Sequence, residues 1–260
     1  MFLGIDIGNT SIEFAFLTKE GKLEHKFFIH SKPLSLEELA LVCKNNIDFL
    51  KTVKYCYISS VVPNNNTIIT DFLKQHYNIN AYVITQNDFK PYITLAHRSI
   101  ETVGMDILCK SLWASKILKA NTIILDVGTA TVVQYVKNNG ELMGAGITIG
   151  LASIYKYLNS GTALLPNLNP TKANKVLGFN TQSAIEGGVY FGYIGLVVNL
   201  IKEAINESNC YNVYLTGGLS DLIFNDVLQE LQKSNAQIKL SLDKNIIFYG
   251  IFELFKLKTS

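Results

Sequence analysis

Two stretches of this chain, GIDIGNT at Gly4–Thr10 and LDVGTAT at Leu125–Thr131, each end an apolar run on an aspartate and turn at once through a glycine. Aspartate is depleted from strands, and the pair Asp6 and Asp126 stand 120 positions apart in a chain of 260. One copy is compatible with an ordinary turn. Two copies, each heading the same succession of segments, point to one module used twice. After the first turn come SIEFAFLT and KLEHKFFIHS, bounded by turn formers at Gly8-Asn9, Lys19-Glu20-Gly21 and Lys32-Pro33. This predicts three sequential strands in an antiparallel meander. After the second come TVVQYVK and ELMGAGITIG around Asn139-Gly140, a strong hairpin signal.

Helices and further strands follow in both halves, the alternation of α/β units. Ser35 to Glu38 has capping-box spacing and opens a helix through about Lys51. KYCYISSVVP reads as a buried strand ending at Pro63, followed by a helix around Ile68 to Tyr77, a strand NAYVIT and a helix from Asp106 to Lys119. In the second half, helices are expected at about Leu151 to Asn159, Thr181 to Asn206 and Asp221 to Lys233. NVYLTGG and NIIFYGIFEL read as late strands. The expected division is a domain over 1–117 and a second over 118–260.

Hydrophobic content of 48% with 17% charged residues suits a globular chain with a substantial core. The net charge is only +2 and no run of five basic residues exists, so nucleic acid is not an expected partner. Cys43, Cys56, Cys109 and Cys210 have neither zinc spacing nor a C-x-x-C pair and read as reduced thiols of a cytoplasmic protein. The N-terminus lacks the basic region of a signal peptide, and Asp6 breaks its apolar run. The longest uncharged stretch, Gly187 to Ile201, has 15 residues. A spanning helix needs about 20 apolar residues, so a buried helix is expected and no membrane partner.

The aspartate turns carry chemistry. Glycine leaves backbone N–H groups unshielded, and a nearby Thr or Asn adds a neutral donor, which together make a phosphate cradle. A carboxylate beside phosphate is repulsive unless cations lie between them. Two such turns therefore imply magnesium, held largely through water as that ion prefers. Thr216-Gly217-Gly218 ends another strand and reads either as a tight turn or as a further wall for a nucleotide. Asp106 follows Gly104 and opens an apolar-periodic run. It is open to two readings, a first-turn carboxylate stabilising its helix or a general base facing a substrate hydroxyl.

Several segments occur together in order: Asp6-Ile-Gly-Asn-Thr10, SSVVP at 59–63, VGMD at 103–106, Asp126–Thr131, GITIG at 146–150, GTALLP at 161–166, Thr181 with AIEGG, and LTGG at 215–218. Together they resemble the type III pantothenate kinases, which belong to the acetate and sugar kinase, actin and heat-shock chaperone ATPase superfamily. The resemblance implies an α/β fold of two duplicated ribonuclease H-like domains, the actin-like ATPase fold, with a cleft between them. It implies ATP-dependent phosphorylation of pantothenate, the first step of coenzyme A biosynthesis, in a cytoplasmic homodimer. By resemblance, Asp6, Gly8, Asn9 and Thr10 handle the ATP phosphates, with Asp6 on magnesium through water. Gly128, Thr129, Gly217 and Gly218 lie on the nucleotide, and Asp126 holds a monovalent cation, K+ or NH4+. Asp106 is the base, and His97, Gly104, Met105, Ile107 and Thr181 line the acceptor.

The chain departs from the family pattern on the acceptor side. Ile107 stands where the family has an arginine, and His97 and Ile100 where it has a tyrosine and a proline. Val132 replaces a threonine, and Gly144–Gly150 lacks one glycine and a proline of the pattern. His97 and Arg98 are the polar residues nearest to these changes in sequence. Losing an arginine removes a charge-assisted contact. The alternative expectations are therefore a kinase for another small hydroxyl acceptor, or a non-enzymatic regulatory or accessory factor.

Overall fold

The computed structural model describes residues 1–95 and 99–259. His97 and Arg98 lie outside the described residues. The chain divides into two compact units, one of residues 1–119 with 139–141 and the segment from Asn245 onward, the other of Ala120–Asn138 and Leu142–Lys244.

The first unit opens with β1 (Phe2–Ile7), β2 (Ser11–Leu17) and β3 (Leu23–His30), paired antiparallel as a meander. β1 is buried on both faces at every residue but Asp6, as its otherwise apolar run requires of a central strand. α1 (Leu36–Asn45) starts on Ser35, whose hydroxyl accepts from the Glu38 N–H at 3.1 Å. Only half of the expected capping box forms, because the Glu38 carboxylate accepts from His30 instead. The helix breaks at Asn46 and resumes for one turn as α2 (Ile47–Leu50). Next come β4 (Tyr55–Ser60), α3 (Pro63–Tyr77), with its proline in the first turn where no N–H is missed, and β5 (Ala81–Val83). β4 and β5 add parallel to β1, giving the order β3-β2-β1-β4-β5. A two-residue strand, β6 (Thr94–Leu95), precedes α4 (Met105–Leu112), which continues as a π-helical turn over Trp113–Leu118 and stops at Lys119 with φ +54°.

The second unit repeats the plan. β7 (Thr122–Val127), β8 (Ala130–Val136) and β9 (Glu141–Ile149) form the meander. α5 (Leu151–Ser160) and the 28-residue α6 (Thr181–Ser208) follow, then β10 (Asn212–Thr216), α7 (Ser220–Ser234) and β11 (Lys239–Leu242). β10 pairs parallel with β7 and β11 with β10, so five of this sheet's six strands, β9-β8-β7-β10-β11, repeat the order of the first sheet. α6 buries Tyr190, Tyr193, Val197 and Ile201 against β7 and β10 residues such as Leu125 and Leu215, as expected of the long uncharged stretch.

One expected element is wrong. NIIFYGIFEL is not a strand but part of α8 (Ile246–Thr259). An apolar run buried nearly all round carries no period that separates strand from helix. α8 buries Ile246, Phe248, Ile251, Phe252 and Leu254, and it packs on α4 and β1 of the first unit. The last parallel strand is instead the four-residue segment Lys239–Leu242.

Candidate active site

Asp6 and Asp126 occupy the same place in their two sheets. Each is the second-last residue of the central strand, and each faces a hydroxyl residue on the parallel neighbour: Asp6 pairs with Ser59, Asp126 with Thr216. Both therefore sit at the carboxyl end of a strand with a parallel neighbour, the edge at which open α/β sheets bind ligands.

In the first unit the Ser59 hydroxyl donates to Asp6 Oδ1 at 3.0 Å. The turn beyond closes with the Gly8 N–H donating to the Ser11 carbonyl at 2.9 Å, leaving Asn9 and Thr10 exposed. The loop after β3 is tied to this turn by the Ser31 N–H donating to the Thr10 carbonyl at 2.9 Å, and Lys32 Nζ reaches the Asn9 side chain at 3.4 Å. Asp106 lies in the first turn of α4, which Gly104 caps. A Cβ on Gly104 would sit 2.6 Å from Asp106 Oδ1, so the glycine makes room for that carboxylate. The other oxygen, Oδ2, accepts from Lys110 Nζ at 3.1 Å, and Lys110 is only 1% exposed. Burial and, next, the charge of Asp106 push the Asp6 carboxyl up to about 7, while Lys110 and the Ser59 hydrogen bond pull the other way. Asp6, Asp106 and Lys110 therefore form one electrostatic cluster. Met105 and Ile107 turn their side chains into the core at 4% and 8% exposure, so what they present to a ligand is backbone.

In the second unit the Gly128 N–H closes the turn on the Ala130 carbonyl at 3.2 Å. The Thr129 carbonyl accepts from the Gly150 N–H at 3.2 Å and the Ser153 hydroxyl at 2.7 Å. Thr131 is buried and fastens to Tyr193 Oη at 2.5 Å and the Ile149 carbonyl at 3.1 Å, which makes it a core fastener beneath the turn. Gly217 has φ +96°, and a Cβ there would meet Asp126 Oδ1 at 2.3 Å and the Val127 N at 2.6 Å. The Thr216-Gly217-Gly218 segment is thus folded directly onto the aspartate turn. Lys244 Nζ donates to the Gly218 carbonyl at 3.0 Å. Thr181 is exposed at the start of α6, where Asn180 caps the helix by accepting from the Ser183 N–H at 2.8 Å.

The first unit thus gathers Asp6, Gly8, Asn9, Thr10, Gly104 and Asp106, and the second gathers Asp126, Gly128, Thr129, Gly217 and Gly218. Three further residues join these clusters: Ser59, the first residue of the SSVVP segment, and Lys110 and Lys244, which no motif contains. Lys110 was signalled by its i,i+4 spacing from Asp106. Among the described residues no three His, Cys, Asp or Glu side chains converge as a metal cage. A cation held by one carboxylate, water and phosphate matches magnesium chemistry, and a partly buried carboxylate pushed up to about 7 is a group that a cation would relieve.

A family model described as type III pantothenate kinase matches residues 2–203. A type III pantothenate kinase from Sulfurihydrogenibium is 32% identical over 228 residues, covering 86% of this chain and 90% of the relative. One from Persephonella marina is 33% identical, covering 86% and 89%, and one from Fusobacterium nucleatum is 29% identical over 99% of both chains. Among solved structures, an activator of 2-hydroxyisocaproyl-CoA dehydratase from Clostridium difficile, with bound ADPNP, superposes with TM-score 0.58 at 13% identity over 99% of this chain and 96% of its own. A ROK family glucokinase from Streptomyces griseus, in complex with glucose and AMPPNP, gives 0.53 at 11% identity over 100% and 99%. These structural likenesses show the fold, the duplicated actin-like ATPase fold.

Proposed function

This chain belongs to the type III pantothenate kinase family, and from that premise we propose that it phosphorylates pantothenate with ATP. The acceptor hydroxyl oxygen forms a bond to the γ-phosphorus, the bond from that phosphorus to the β–γ bridging oxygen breaks, and ADP leaves with the electron pair. The hydroxyl proton passes to the Asp106 carboxylate. Transfer of this kind depends on positioning and charge stabilisation, with no covalent enzyme intermediate required. The single observation that carries the reading is the Asp6–Asp106–Lys110 cluster at the end of β1, a buried arrangement of charge that a purely structural helix start does not need.

The roles follow from the chemistry of each group. Gly8, Asn9 and Thr10 offer donors to phosphate, and Asp6 would hold magnesium through water. When bound, that cation would neutralise charge on the phosphates. Gly128, Thr129, Gly217 and Gly218 would contact the nucleotide, and Asp126 would hold K+ or NH4+. Gly104, Met105 and Ile107, with His97 and Thr181, meet the acceptor. Two copies assemble as a homodimer in the cytoplasm. No nucleic-acid partner is proposed, given the near-neutral charge. No membrane partner is proposed either, although α6 is long and apolar enough to cross a bilayer, because its Tyr190, Tyr193, Val197 and Ile201 are core residues.

The test is ADP release from magnesium-ATP, with and without pantothenate, in sodium, potassium and ammonium buffers, for the natural chain and Asp106→Asn. The expected outcome is pantothenate-dependent turnover that needs potassium or ammonium and falls at least about 100-fold in the variant, the range for removing a general base. Turnover with another hydroxyl compound but not with pantothenate would replace the acceptor. No turnover in a folded chain that binds ATP would refute the enzyme.

A further inference from the structure

α4 is buried nearly all round, with Met105, Ile107, Leu108, Cys109 and Leu112 buried beside Ser111. In this setting Lys110 is 1% exposed. Taking an ammonium out of water costs several kcal/mol even after relaxation, and lysine stems ordinarily reach back to solvent. A fold retains such a charge where something offsets it. Here two carboxylates do so. Asp106 Oδ2 lies 3.1 Å from Lys110 Nζ, and the Lys110 charge also acts on Asp6, opposing the effect of Asp106. Glu13, the other acid acting on Asp6, has its own ion pair with Lys26 at 2.9 Å. The two oxygens of Asp106 are thus differentiated. Oδ2 is held by the ammonium, and Oδ1 is turned toward the Gly104 cap, in space that only a glycine leaves open.

We propose that Lys110 is a positioning residue for the phosphoryl transfer: its ammonium fixes the Asp106 carboxylate by one oxygen, so that the other meets the acceptor hydroxyl and takes its proton. The inference rests on the kinase reading above and adds to it a cation that works through the base. The reaction balance is unchanged, since Lys110 neither gives nor takes a proton.

The test is steady-state kinetics of Lys110→Met, Lys110→Gln and Lys110→Arg with magnesium-ATP and pantothenate, each checked by thermal unfolding. Lys110→Met keeps the stem and removes the charge, and kcat is expected to fall about 10- to 100-fold, the range for a lost charge-assisted hydrogen bond. KM for both substrates should change little, and Lys110→Arg should recover part of kcat. A merely structural lysine would lower the unfolding temperature and leave kcat per folded molecule unchanged, and that result would overturn the assignment. So would a loss confined to KM for ATP. Should Lys110→Met not fold, Lys110→Gln carries the same expectation, and natural kcat in it overturns the proposal. Absence of pantothenate-dependent turnover in the natural chain is a different failure, that of the kinase reading itself.

Discussion

Asp6 and Asp126 share one position in two copies of a sheet, yet their surroundings have diverged. Asp6 is met by a second carboxylate and a buried ammonium on α4. Asp126 is met by the backbone of Gly217, in the left-handed region at φ +96° and within 2.3 Å of the carboxylate at its would-be Cβ. Any side chain there is strained and collides with the group proposed to hold a cation. Gly217→Ala is therefore expected to cost about 1–3 kcal/mol of stability, the usual toll of a forced left-handed residue, and to weaken ATP binding. Denaturant titration and calorimetric titration of ATP read the two effects separately. At this scale the aspartates and glycines were legible in the sequence, because a charged residue at a strand end followed by glycine is a local signature. The burial of Lys110 was not. A lysine is assigned to the surface by default, and only the packing around α4 reveals the exception.

The elements show where local pattern stops being informative. Meander strands and most helices were legible from alternation, caps and turn formers. α8 was not, because its apolar residues surround it: one side rests on α4 and β1, and Phe252 and Phe255 pack on Phe2 at ring distances of 5.1 and 5.0 Å. Its far end is tied to the first unit by Lys258, which bonds Asp88, while Tyr82 Oη donates to the same carboxylate at 2.7 Å. Burial alone would raise the Asp88 carboxyl, but Lys258, the Thr85 N–H and Tyr82 outweigh it and hold it below the usual range. A carboxyl depressed by folding contributes stability that is complete above its unfolded value and is lost as pH falls through its folded value. The gap in unfolding temperature between the natural chain and Asp88→Asn is therefore expected to stay constant from about pH 8 to about pH 5. It should begin to narrow near the unfolded carboxyl value, about pH 4, and close as pH falls through the lower folded value. A gap that persists in acid would show that the contact is not ionic.

For the whole molecule, the duplicated plan is complete in its strands and unequal in its helices. The second copy's final helix is housed in the first unit, so chain start and chain end make one core. Gly250 marks the closest approach. A Cβ there would lie 2.0 Å from the Cys109 carbonyl oxygen, in the helix that carries Asp106 and Lys110. Gly250→Ala must push α4 away. It is expected to cost about 1–3 kcal/mol, as overpacking does, and to lower kcat although residue 250 is none of the proposed ligand contacts. A denaturant midpoint and a turnover number would check this, and unchanged turnover would separate α4's position from its chemistry. The sequence by itself determined the repeat, the strand meanders, the two aspartate turns and the family, since each rests on neighbours a few residues apart or on ordered motifs. Only the tertiary structure decided that the last apolar run is a helix, that it belongs to the first unit, and that a lysine is buried against Asp106. Those outcomes depend on which distant surfaces meet, and neither hydrophobicity nor local spacing encodes that.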